Sequence, residues 1–131
     1  MKLCSKIFLL SILVLVGCSD SGELWRDGNY VVPWIDSNTY LSYGKPDTAF
    51  YGLVKSKVLA IGSNENHIVA KRLDEESHEI SYYVIDREKQ ESNGTNGNVF
   101  SKYFAVTGPL NVSQFKIVAI ELQLPRFTVT F

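Results

Sequence analysis

The chain has 131 residues, with 13 Lys+Arg against 14 Asp+Glu, 45% hydrophobic and 21% charged side chains. This is one domain's worth of ordinary globular composition, which excludes a disordered chain. The near-neutral charge lacks the concentrated basic surface of a nucleic-acid binder, and two cysteines cannot build a disulfide scaffold or a four-thiolate zinc site.

The first segment reads as an address. Lys2 and Lys6 precede Ile7 to Val16, an apolar run broken only by Ser11. Ten helical residues span ~15 Å, half of a hydrocarbon core of ~30 Å, so a secretory h-region fits better than a membrane span. Leu15-Val16-Gly17-Cys18 then looks like a bacterial lipobox. The expected division is a lipoprotein signal peptide over 1–17, a lipidated polar tether over 18–28 and a single β-rich domain over 29–131. Lipid on the Cys18 thiol consumes it, and Cys4 leaves with the signal, so the mature chain keeps no free thiol. Ser19 replaces the Asp that retains lipoproteins at an inner membrane. The expected location is therefore the periplasmic face of the outer membrane in a Gram-negative host, or the outer surface of a host with one membrane.

Short β segments follow. Tyr30 to Ile35 is β-rich, and Pro33 within it implies an edge strand or a bulge. Thr39 to Tyr43 and Ala49 to Val54 flank the turn cluster Gly44-Lys45-Pro46-Asp47. Lys57 to Ile61 and His67 to Leu73 flank a Gly/Asn-rich turn at Gly62 to Asn66, the clearest hairpin. Glu79 to Arg87 is the strongest strand, with Tyr82 and Tyr83 expected on opposite faces. Residues 86–98 hold no apolar side chain and two Asn-Gly pairs, which implies a long exposed hairpin loop. Val99 to Val106 returns as a strand that Thr107-Gly108-Pro109 ends. Ser113 to Leu124 has helical spacing of Val112, Phe115, Ala119 and Leu122, with Ser113 as cap, although its Ile and Val content suits a strand equally. Gly108-Pro109 before it and Pro125 after it favour the helix. Arg126 to Phe131 is a terminal strand. The expected fold is mainly β (α+β): an antiparallel meander or sandwich-like domain of six to eight short strands with one C-terminal helix.

The runs Val58 to Arg72, Ile80 to Asp86 and Gly108 to Leu110, with Phe115 soon after, resemble a family of small bacterial lipoproteins of unknown function. That family similarly joins a V-x-A-[VI]-G-x-N strand and turn to I-[VI]-A-K, then YY-[VI]-ID and GPL. The resemblance covers roughly residues 29 to 120. It implies a shared fold and carries no catalytic residue.

The candidate chemistry is sparse. His67 starts a strand, and His78 lies in the acidic stretch Asp74 to Glu79 without metal-ligand spacing, so a solvated loop is expected rather than a metal site. No Gly-x-Ser-x-Gly elbow, cysteine nucleophile or phosphate loop is present. No catalytic residue, metal or cofactor is expected. Aromatic residues crowd Trp25 to Tyr51. They serve a small β core, a protein interface or a glycan platform. Trp25, Trp34, Tyr40 and Tyr43 are the candidate binding residues, with Trp25 foremost because of its polar setting. The expectation is a non-enzymatic lipoprotein held to the membrane through Cys18 and binding an envelope protein. Alternatives are an immunity or inhibitor protein against a toxin or hydrolase, or an envelope enzyme.

Overall fold

The computed structural model describes residues 22–35, 37–45, 50–93 and 105–131. Among the described residues ten strands form two antiparallel sheets. The first sheet has the order β1 (Gly22–Asp27), β2 (Tyr30–Ile35), β4 (Leu41–Tyr43), β5 (Tyr51–Val54), with β3 (Asn38–Thr39) also paired to β2. The second has the order β10 (Val129–Thr130), β6 (Val58–Ser63), β7 (His67–Leu73), β8 (Ile80–Asp86), β9 (Val106–Leu110). The described residues also include the helices α1 (Arg87–Asn93) and α2 (Val112–Leu122). The fold is mainly β of the α+β kind, as expected from the sequence, with more and shorter strands.

The expected hairpin forms because its turn is self-capping. The Asn64 side-chain oxygen accepts from the backbone N–H groups of Asn66 (2.9 Å) and His67 (2.8 Å). Asp74 closes the next turn in the same way, accepting from Glu76 and Ser77. The second sheet is buried on both faces. Val58, Ile61, Ile68, Ala70 and Ile85 meet Tyr30, Val32, Leu41, Leu53 and Val54 of the first sheet in one core. Ala60, Val69 and Val84 lie on the opposite face and are also buried. That face carries Tyr82, stacked on Phe115 of α2 at 4.6 Å, with Phe127 beside both. Tyr83 packs against the inter-sheet core, so the two tyrosines do point to opposite faces.

Four local expectations are corrected. The sheet begins at Gly22, within the expected tether: Trp25 packs against the core while Glu23 and Arg26 pair with each other on the surface. Only 18–21 of that tether lie outside the described residues. At Pro33, by contrast, one expected alternative holds: β2 sits between β1 and β4, and a bulge in β1, between Glu23 and Trp25, lies opposite Pro33. The polar stretch after Asp86 is a helix as far as Asn93, and 94–98 lie outside the described residues: the Asp86 carboxylate accepts from the Lys89 N–H, and the buried side chain among those described, Gln90, is an amide. The residues Thr107 to Pro109 continue β9 instead of ending a strand, and most of the expected strand from Val99 lies outside the described residues. The C-terminal helix is present, but Asn111 caps it. Its side chain accepts from the Gln114 N–H (2.8 Å), and Gln114 returns a bond to the Asn111 N–H (2.9 Å).

Gly62 shows how tightly the outer layer is laid down. A Cβ there would collide with the carbonyl group of Arg126 and press on Val69. Overpacking of this kind costs about 1–3 kcal/mol. Gly62→Ala is therefore expected to lower the unfolding free energy by about that amount in a urea titration. Gly52→Ala, which meets no atom within 4 Å, should leave the midpoint nearly unchanged.

Candidate functional site

The strands run between two chemically different ends. One holds the Gly28–Asn29 turn, the Asn64–Asn66 turn and α1. The other holds Gly22, Trp34, Lys57 and the return of the chain through β10.

The first end is built on a row of tyrosines. Tyr30, Tyr43 and Tyr51 lie opposite one another across β2, β4 and β5. Their ring centroids are 5.0 and 5.6 Å apart, in edge and tilted contact. Arg87 covers the row, 5.0 Å above the Tyr30 ring. Its guanidinium donates to the Asp27 carboxylate (2.9 Å) and to the Asn64 carbonyl (2.9 Å), tying both sheets and α1 together. Gln90 donates from Nε2 to the Tyr51 hydroxyl at 2.6 Å. Among the described residues, three buried polar atoms have no partner: Tyr30 Oη, Gln90 Oε1 and His67 Nδ1. Burial, with the Glu91 charge added, pushes the Tyr30 hydroxyl well above the usual phenol range, and burial raises Tyr51 as well. Both phenols stay protonated, and the cluster offers hydrogen bonds and aromatic faces. Phe50 and Tyr51 are exposed beside it.

The second end is a groove of about 480 Å³ whose walls include Leu24, Trp34, Thr39, Lys57, Val129 and Phe131. Trp34 shares its face of β2 with Tyr30 and Val32 but lies beyond the core. Leu24 is the unpaired residue of the β1 bulge. The bulge turns the neighbouring Trp25 to the core and leaves Leu24 to the groove.

The sequence candidates are therefore dispersed. Trp34 lines the groove, and Tyr43 belongs to the tyrosine row. Trp25 is partly buried against the core, which corrects its reading as the foremost exposed anchor. Tyr40 is half-buried between β3 and β4. Cys18 lies outside the described residues. His67 and His78 flank opposite ends of β7, and among the described residues no three His, Cys, Asp or Glu side chains gather. Composition hinted at neither Arg87 nor Gln90, because both sit in a stretch that reads as loop. Searches of family models, curated proteins and solved structures give no match to this chain.

Asp27 reports on the first end. Burial alone would raise its pKa, but the Ser63 hydroxyl and Arg87 outweigh that and hold it below the ordinary carboxylate range. A depressed folded pKa contributes stability above the unfolded value and loses it as pH falls through the folded value. Asp27→Asn should therefore be less stable than the wild type near neutral pH, by about 1 kcal/mol after solvent screening. The difference should close as pH is lowered through the carboxylate range, measured by urea unfolding at each pH.

Proposed function

We propose that the protein is a bacterial lipoprotein, anchored through acyl chains on Cys18, whose domain is a non-enzymatic binding module for an envelope protein. The observation that carries the anchor is Leu15-Val16-Gly17-Cys18 directly after the ten-residue apolar run. The likeness of Val58 to Arg72 and Ile80 to Asp86 to small bacterial lipoproteins agrees with it. Several acyl chains make such an anchor effectively permanent. The binding face is the tyrosine end, opposite Gly22, where the hydroxyl of the exposed Tyr51 accepts a bond from the buried amide of Gln90 and the exposed Phe50 is its neighbour in the chain. Aromatic side chains of this kind anchor protein interfaces. An immunity protein or an inhibitor of a hydrolase is one form of this reading.

Cys18→Ala should abolish lipid labelling and leave unprocessed precursor. Normal labelling and membrane retention of that variant would overturn the anchor. For the binding face, Tyr51→Ala should weaken capture of the partner from an envelope extract by roughly 30-fold or more, as a hot spot of ~2 kcal/mol requires. Unchanged capture would remove the tyrosine end from the interface.

A further inference from the structure

The groove end of the domain has its own chemistry, and the length of chain before it decides what can reach it. Four peptide steps join Cys18 to Gly22. Fully extended, they span at most ~14 Å. Gly22 opens β1 and lies directly across the ladder from Trp34. An acylated Cys18 sits at headgroup depth, so Gly22, and Trp34 beside it, are held within that reach of the bilayer. The far end of β1, at Asp27, is five strand residues further away, roughly 17 Å.

We infer that the groove end rests on the membrane surface, with Leu24, Trp34 and Phe131 at the boundary between headgroups and acyl chains and Lys57 facing lipid phosphates. The inference rests on the reading of Cys18 as the lipid anchor. Leu24, Trp34 and Phe131 are 43%, 38% and 36% exposed, and all three line the same groove. Tryptophan favours the membrane–water interface because one part of the ring is apolar and its N–H is wet. Among the described lining residues Lys57 is the one charged side chain, and none is an Asp or Glu. Glu23, next in sequence, is turned away to Arg26 at 2.6 Å. A folded partner protein does not fit the same space: a domain of ~100 residues has a radius of gyration of ~13 Å, so it is too thick for a gap of ~14 Å.

The test uses the full lipidated protein in vesicles of phosphatidylethanolamine and phosphatidylglycerol, with and without bromine on the acyl chains near the headgroup. The wild type is compared with Trp34→Phe, so that the difference between them is the Trp34 signal. Trp34 emission should be blue-shifted in the vesicles and lost in the brominated ones, while the remaining Trp25 emission is quenched less. Lys57→Glu should reduce the loss in phosphatidylglycerol vesicles. A Trp34 signal that brominated lipid leaves intact, on a protein whose Cys18 peptide carries the lipid mass, overturns the inference and leaves the anchor standing. A Cys18 peptide without lipid overturns both. Trp34 shielded from lipid by a bound protein also overturns the inference.

Discussion

The constraint on which the fold turns is that β6, β7 and β8 must be covered on both faces. A sheet with one wet face alternates apolar and polar residues, whereas Val58-Leu59-Ala60-Ile61 and Ile68-Val69-Ala70 do not alternate. Those runs require two coverings. The first sheet supplies one, through Tyr30, Val32, Leu41, Leu53 and Val54. Phe115 of α2 and Phe127 supply the other by closing on Tyr82. The chain after α2 must then cross β6 so closely that position 62 has no room for a side chain, before β10 pairs with the same strand. The two outer layers are thus consequences of one apolar pattern in the middle of the chain.

That pattern explains which parts of the fold were legible. The β6–β7 hairpin and β8 announce themselves through β-branched runs and an Asn-rich turn, and they lie where the sequence places them. The C-terminal helix was legible by spacing and stops, yet its cap was misassigned. Asn111 and Gln114 bond each other's backbone, a reciprocal pair that spacing of apolar residues does not reveal. β1 and α1 were illegible for a shared reason: each is fixed by few apolar contacts. In β1 the bulge breaks the alternation that would have marked a strand, and a surface ion pair fills its outward positions. In α1 the buried residue is Gln90, which a hydrophobic pattern counts as solvent-facing.

The candidate site was legible in part. Crowding of aromatics before residue 51 located Tyr43 and Trp34, and it could not show that they belong to opposite ends of the sandwich. That separation follows from strand direction: β2 carries Tyr30 at one end and Trp34 at the other, four residues on. Trp25 was misread because its polar neighbours Glu23, Arg26 and Asp27 belong to a strand whose other face is dry. The groove draws its walls from four separated segments, around Leu24, Trp34, Lys57 and Phe131, so no local motif exists to find. Arg87 is the clearest miss. It has ordinary composition for a loop, and only the closure of the two sheets brings Asp27, Tyr30 and Asn64 around it.

The two ends also differ in what they demand of a partner. A fluid lipid surface presents no fixed pattern of donors and acceptors, so a face that meets it needs apolar bulk and a cation, which act without direction. Leu24, Trp34, Phe131 and Lys57 are side chains of that kind. The opposite end is fixed by directional bonds: the guanidinium of Arg87 is held by a carboxylate and a carbonyl, and Gln90 is aimed by a 2.6 Å bond to Tyr51. Groups held in this way lose little freedom when a partner binds, and they reject surfaces that leave them unpaired. Strand geometry puts roughly the length of β1 between the two. Under the anchor proposed at Cys18, the short reach to Gly22 would present the ordered, discriminating end away from the bilayer and keep the undiscriminating end against it.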